Sequence, residues 1–151
     1  MARYWALSLV NKMIKPITDN YIFMNICDKL DDVPDCKMSK TKLYIYMISG
    51  QFNQKTFIFA GYDKDIMTGC TVITIDYNIN GNLTLFVVFL WLDPHYRKLW
   101  KDYMRFIEGK AKEYHCQKIS FTTSRSKEAI DRQMGEYGYK KVYNVIEKEV
   151  V

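Results

Sequence analysis

Apolar runs separated by turn residues in the second half of the chain predict a pair of strands. Leu83–Leu92 is apolar at every position except Thr84, which is typical of a strand buried on both faces at the centre of a sheet. Gly69–Asp76 is rich in β-branched residues and predicts the strand before it. Asn80-Gly81 lies between the two runs and is a strong hairpin signal.

An amphipathic pattern follows this hairpin. Over Tyr96–Tyr114 the apolar residues recur at helical spacing, and basic residues occupy most of the other side, so the pattern predicts a helix of about five turns. Gln117–Thr123 then predicts a further strand.

The end of the chain predicts one more helix and one more strand. Ser126 is suited to cap a helix that runs to Tyr137, and Gly138 stands where a left-handed cap belongs. Tyr139–Glu149 is interpreted as a closing strand.

The first half is less regular. Met13–Thr18 predicts a first strand, which Pro16 confines to a sheet edge. Asp19–Leu30 has apolar residues at helical spacing and predicts a helix. The aromatic and β-branched character of two further runs predicts strands, with a polar loop at 37–42 before them and a turn at 50–55 between them. These strands are Leu43–Ser49 and Thr56–Ala60.

Length and composition indicate one domain over residues 1–151, because no linker, repeat or low-complexity tract divides the 151 residues. The longest apolar run has ten residues, whereas a membrane-spanning helix needs roughly twenty. The short apolar patch at 5–10 is not the pattern of a signal peptide. No pair of the four cysteines has zinc-binding spacing, so we expect no metal site and buried thiols instead.

Positive charge is concentrated in the predicted long helix. The chain carries a net charge of +5, and residues 94–112 hold six basic residues against Asp102 and Glu108, which gives +4. Such a helix either presents a solvated face or meets phosphate, nucleic acid or an acidic protein surface.

The order of strand, Pro94-x-x-Arg97, helix, strand, helix and Gly138-Tyr139 resembles the second half of a GNAT (GCN5-related N-acetyltransferase) domain. The resemblance covers about residues 69–149. It implies an α/β (α+β) fold with a mixed central sheet of about six to seven strands flanked by helices.

The same resemblance places a cofactor-binding loop and shows where it is altered. GNAT domains hold the pyrophosphate of acetyl-CoA with Pro-x-x-Arg/Gln-x-x-Gly-x-Gly/Ala, in which backbone N–H groups face the anion. Trp100 and Asp102 occupy the two glycine positions here. The indole either blocks the phosphates or turns inward, and the carboxylate repels them. The remaining cations of this vestigial loop compensate for that charge and are Arg97, Lys98 and Lys101.

The acid that protonates the leaving thiolate is also displaced. In many GNAT domains a Tyr lies four residues before the glycine of the Gly-aromatic motif, and that position is Met134 here, which cannot donate a proton. Tyr137 is a substitute one helical turn away. Asp93-Pro94 is interpreted as a strand-ending turn. No residue is therefore assigned a catalytic role.

A narrower resemblance concerns Tyr96-Arg97-Lys98-Leu99 and the glycine-poor helix start after it, which are similar to GNAT-like internal virion proteins of short-tailed bacteriophages. It implies a non-catalytic structural or interaction protein, made in the cytoplasm and carried in the virion, with no cofactor and with phage structural proteins as partners. The alternative is a divergent acetyl-CoA-dependent N-acyltransferase. Nucleic-acid contact through the basic helix is a weaker hypothesis.

Overall fold

A five-stranded mixed sheet forms the centre of the computed structural model, which describes residues 14–33, 38–121, 127–142, 146 and 148–150. Consecutive strands are antiparallel from the first to the fourth, and the fifth runs parallel to the fourth. The strands follow one another across the sheet in chain order. They are β1 (Ile14–Pro16), β2 (Thr56–Asp63), β3 (Ile66–Tyr77), β4 (Leu83–Leu92) and β5 (Lys118–Phe121).

In the described part of the chain four α-helices accompany the sheet, and three of them adjoin a short 3₁₀ segment. The helices are α1 (Asn20–Asp28), α2 (Lys40–Phe52), α3 (Trp100–Glu113) and α4 (Lys127–Met134). The 3₁₀ segments are Lys29–Asp32 after α1, Pro94–Leu99 before α3 and Gly135–Tyr137 after α4.

The helices cover both faces of the sheet. Phe23 and Ile26 of α1 and Leu43 and Met47 of α2 pack in one core cluster with the side chains on one face of β2–β4. Tyr103 and Ile107 of α3 pack against the opposite face. The mixed sheet between helical layers confirms the predicted α/β (α+β) fold class, with five strands among the described residues instead of six to seven.

The prediction of a strand at Leu43–Ser49 was wrong, because this run lies inside α2. The Ser39 side chain caps the helix by accepting a hydrogen bond from the Lys42 N–H at 3.1 Å. Leu43, Met47 and Gly50 are the buried residues of α2, at the spacing that places them on one helical face. Burial of that face against the sheet outweighs the strand preference of the intervening aromatic and β-branched residues. Residues 40–42 of the predicted polar loop form the first helical turn, and Gly50–Phe52 of the predicted turn form the last.

Most other elements agree with their predictions. β4 has the predicted bounds, and the β3–β4 turn contains Gly81 at φ 78°. Gly138 ends the last helical segment at φ 84°, as predicted for a left-handed cap. β3 starts three residues before its predicted strand, and β2 extends three residues beyond its prediction. Ser126 lies outside the described residues, as do Met13, residues 122 and 123 of the predicted fifth strand, and Cys36.

The predicted closing strand at Tyr139–Glu149 is wrong for the described part of that segment. Residues 139–142, 146, 148 and 149 are not in a strand, whereas 143–145 and 147 lie outside the description. Val142 is 62% and Ile146 97% exposed, so neither side chain is buried as the inward residues of a closing strand would be. A strand there would need a neighbour on which to pack its apolar side chains.

Helix α1 depends on a side-chain cap. Asp19 Oδ1 accepts a hydrogen bond from the Tyr21 N–H at 2.8 Å and satisfies a donor that has no partner within the helix. We expect Asp19→Ala to lower the free energy of unfolding by about 1 kcal/mol. Asp19→Asn keeps an acceptor oxygen and is the control. Urea denaturation of both variants tests the cap, and an equal loss in both would contradict it.

Among the described residues, none of the helices combines the length and the apolar character needed to cross a membrane.

Cys27 and Cys70 are buried free thiols, as predicted, and Cys116 is half-buried. Burial raises the pKa of Cys70 and leaves its thiol protonated.

Candidate functional site

β4 extends past its parallel neighbour at one end. The pairing of β4 with β5 covers Thr84–Val87 and Lys118–Phe121. On its other edge β4 stays paired with β3 as far as Leu92. Within the described part of the chain, the β4 edge from Val88 to Leu92 therefore has no strand beside it. A strand edge of this kind presents backbone donors and acceptors to a ligand.

The turn after β4 is held by Asp93. Its backbone N–H donates to the Thr68 carbonyl at 2.8 Å, and its Oδ1 accepts from the His95 N–H at 2.8 Å. That backbone hydrogen bond, with the adjacent His95 ring, lowers the pKa of Asp93. The carboxylate is thus the capping group of a strand-ending turn, as the sequence indicated.

The chain then enters α3 through a kinked 3₁₀ segment. Tyr96 has non-helical angles, φ −118° and ψ 22°, and Leu99 at the start of α3 provides no side-chain cap. Arg97, Lys98 and Lys101 are exposed at this end of the helix. The N-terminal N–H groups and the helix dipole favour an anion at the same place.

Trp100 takes the inward position of the two that the sequence allowed. Its half-buried indole packs on a cluster formed between α3 and α4, which we call the α4 cluster. The other members of the α4 cluster are Met104, Phe121, Ile130, Met134, Tyr137 and Tyr139. The indole therefore contributes to tertiary packing.

Asp102 is half-buried in the first turn of α3. A carboxylate in that turn interacts favourably with the helix dipole, which gives this residue a structural role of its own. It also places one negative charge beside the three cations. The site keeps an excess of positive charge, although the Asp102 carboxylate reduces that excess.

The two residues considered as proton donors are both in the α4 cluster. Met134 is 8% exposed and acts as a packing residue. The Tyr137 hydroxyl is buried, and among the described residues it lacks a hydrogen bond of normal geometry. Burial raises the pKa of Tyr137, and the adjacent Glu136 carboxylate shifts it in the same direction, so this phenol is protonated at neutral pH.

A separate pocket of about 270 Å³ lies on the α3 face, over β1–β3. It is lined by Ile14, Gly61, Asp63, Thr68, Tyr96, Leu99 and Tyr103. No sequence pattern predicted this pocket. The available signal was Gly61 and Gly69 within strand patterns, because a strand glycine often marks a close approach by another group.

In the ranges that the structure describes, no group of three or more His, Cys, Asp or Glu residues is placed to hold a metal ion.

Comparison with solved structures gives the fold. Aminoglycoside 6'-N-acetyltransferase AAC(6')-IG from Acinetobacter haemolyticus superposes with a TM-score of 0.69 at 14% identity, over 91% of this chain and 97% of that one. The fold is that of the GNAT acetyltransferases. A predicted acetyltransferase from Clostridium acetobutylicum, solved with acetyl-CoA, has a TM-score of 0.66 at 12% identity, over 91% and 96%. A transcriptional regulator from Bacillus halodurans reaches 0.70 at 13% identity, over 91% and 98%.

No protein-family model matches the sequence, and no curated protein matches it at a significant level. At identities of 12–14% the structural likeness establishes the GNAT fold, and the activity has to be argued from the site.

The residues of this GNAT fold are compatible with an acyl-CoA at the turn between β4 and α3. The β4 edge is open beyond Val87 in the described part, Leu99 leaves the start of α3 without a side-chain cap, and Trp100 is held on the α4 cluster. The carboxylates of Asp93 and Asp102 are the charges there that oppose phosphate.

Proposed function

We propose that this protein is an N-acyltransferase of the GNAT fold that uses acetyl-CoA and holds its phosphates with cations in place of a glycine loop. The observation that carries the proposal is the packing of Trp100 on the α4 cluster. Because the indole is held there, the helix start stays accessible to an anion, with Arg97, Lys98 and Lys101 exposed around it.

Each part of the site has a role in this proposal. Arg97, Lys98 and Lys101 would bind the phosphates through charge-assisted hydrogen bonds. The β4 edge from Val88 to Leu92, which has no strand beside it among the described residues, would orient the acyl arm. Much of the rate enhancement in such a site comes from positioning. Acetyl-CoA supplies the thioester-activated acyl group that an amine accepts.

Tyr137 is the proposed proton donor. As the amine nitrogen bonds to the acyl carbon and the carbon–sulfur bond breaks, the thiolate takes up a proton and the amine releases one to water. A phenol kept protonated by burial can provide that proton at its hydroxyl, and the resulting phenolate regains a proton from water.

Calorimetric titration of acetyl-CoA tests the proposal. We expect the wild type to bind with a micromolar Kd and the triple variant Arg97→Ala/Lys98→Ala/Lys101→Ala to bind at least about a hundredfold more weakly, because each lost charge-assisted hydrogen bond costs on the order of 1.5–3 kcal/mol. The control Lys15→Ala/Lys42→Ala/Lys112→Ala removes the same charge from exposed positions elsewhere and should bind as the wild type does.

Two further variants separate charge from shape. Asp102→Asn should tighten acetyl-CoA binding several-fold, because it removes an opposing charge at nearly constant volume. Trp100→Gly/Asp102→Gly restores both glycines. If only this double variant binds acetyl-CoA, the wild type is not an acetyl-CoA enzyme.

That outcome would support a second candidate function, a non-catalytic structural or interaction module whose partners are other chains of an assembly such as a phage particle. Non-glycine residues at both loop positions and Met134 in the acid position favour it. The large exposed side chains of Tyr21 (81%) and Phe52 (84%) are suited to protein contacts. Mass spectrometry of purified virions would identify the protein there. A steep salt dependence of DNA affinity would instead indicate phosphate contacts by the basic helix.

A further inference from the structure

The pocket on the α3 face is lined by apolar side chains and by a carboxylate. It lies where β1, β2 and β3 meet the 3₁₀ segment before α3. The acyl-CoA site proposed above adjoins the same segment, but its cations and the β4 edge are not part of the pocket lining. Its floor is fixed by Tyr103, which is 1% exposed and whose hydroxyl lies 3.2 Å from the Thr68 hydroxyl. Ile14 and Leu99 contribute apolar surface.

Among the described residues that line this pocket, Asp63 carries the one formal charge. The side chain is half-buried, and the Tyr96 hydroxyl donates to its Oδ2 at 3.1 Å. No lysine, arginine or histidine of the described chain forms an ion pair with Asp63. The pocket thus combines an apolar lining with a carboxylate that lacks a cation, in a protein whose net charge is +5.

We infer that this pocket binds a small primary alkylammonium ion, with the ammonium group on Asp63 and the alkyl chain against Ile14, Leu99 and the Tyr103 ring. The carboxylate accepts charge-assisted hydrogen bonds from the ammonium group. The rings of Tyr96 and Tyr103, which also line the pocket, attract a cation through their electron-rich faces. This inference does not depend on the acyltransferase proposal.

Other ligand classes fit less well. An anion would face the Asp63 carboxylate in a partly desolvated site. A divalent metal ion lacks ligands, because the described residues contain no group of three candidate side chains. The cavity, at about 270 Å³, is slightly smaller than the pockets of roughly 300–1,000 Å³ that hold drug-sized molecules, which favours a short amine.

Titration of the whole protein with n-pentylamine, followed by amide chemical shifts in ¹⁵N-labelled protein, tests the inference. We expect saturable binding with a Kd of roughly 1 mM or tighter, as is usual for a ligand of so few atoms. The shifted amides should be those of Gly61, Asp63, Thr68 and Leu99. n-Pentanol has the same length without the charge and should bind at least about tenfold more weakly.

Asp63→Asn should weaken n-pentylamine binding at least about tenfold. Asp65→Asn is the matched control, because Asp65 is exposed in the same β2–β3 turn, does not line the pocket and loses the same charge. Circular dichroism checks that both variants fold. If Asp63→Asn does not fold, Tyr96→Phe takes its place. The Tyr96→Phe variant removes the hydroxyl that donates to Asp63 Oδ2 and should bind the amine at least as tightly as the wild type.

Any of the following results would overturn the inference: no saturation by 50 mM amine (about fiftyfold above the expected Kd), equal binding of n-pentanol, equal loss in the Asp65→Asn control, or weaker binding by Tyr96→Phe. Amide shifts confined to Val88–Leu92 would place the amine at the β4 edge, which would contradict the pocket and leave the acyltransferase proposal intact. The acetyl-CoA titration is independent of all these results.

Discussion

Replacing Gly61 with alanine is expected to lower the free energy of unfolding by about 2–3 kcal/mol, because the new methyl group has no room. A Cβ at position 61 would lie 2.1 Å from the Tyr103 hydroxyl oxygen and 3.0 Å from Thr68 Oγ1. Tyr103 is 1% exposed and cannot swing into solvent without opening the α3 face of the sheet. Urea denaturation measures the loss.

A double-mutant cycle with Tyr103→Phe identifies the cause. Tyr103→Phe alone should cost about 1 kcal/mol through the hydrogen bond to Thr68. In the double variant the clashing oxygen is absent, so the total loss should be at least about 1 kcal/mol smaller than the sum of the two single losses. Additive losses would contradict the predicted steric contact.

Gly109→Ala is the matched control for this cycle. Gly109 is exposed within α3, and a Cβ there meets nothing within 4 Å. Alanine should raise the free energy of unfolding by about 0.5–1 kcal/mol, because it restricts the unfolded chain and has the higher helix propensity. The same substitution thus has opposite signs at the two sites.

Replacing Met104 with alanine is expected to cost about 2–4 kcal/mol. Met104 is 2% exposed and forms the buried centre of the α4 cluster together with Ile130 and Met134 of α4. Truncation leaves a cavity between α3 and α4. Since Ile130 and Met134 belong to no other core cluster, α4 should open most easily. Hydrogen exchange of the α4 amides should therefore accelerate more than that of α1.

Arg105→Ala is the control at the next position along α3. Its side chain is exposed, so the change in stability should stay within about 0.5 kcal/mol. A loss below about 1 kcal/mol for Met104→Ala would show that α4 is not packed on Met104 in solution. The same variant should also weaken acetyl-CoA binding, because Trp100 is held by the same cluster.

The elements predicted best were those with strong local signals. The Leu83–Leu92 strand is continuous and apolar, and its bounds agree with β4. The Asn80-Gly81 turn and the Gly138 cap need positive φ angles, which glycine adopts without strain. These features depend on few residues that are close in the chain.

The candidate site was predicted in part. The sequence placed Arg97, Lys98 and Lys101 at a helix start, and the structure leaves all three exposed there. It left two orientations open for Trp100, because the choice depends on Ile130 and Met134, about thirty residues further along the chain. The pocket at Asp63 was missed because its lining comes from β1, β2, β3 and the segment before α3.

The strand–helix order from Gly69 to Gly138 and the concentration of positive charge at the start of α3 follow from the amino-acid sequence alone, since periodicity, turn residues and charge are local properties. The helical state of Leu43–Ser49, the packing of Trp100 on α4 and the position of Asp63 at an apolar pocket follow only from the folded arrangement. Each of these outcomes depends on burial against residues distant in the chain, and the free energy of that burial exceeds the local preferences.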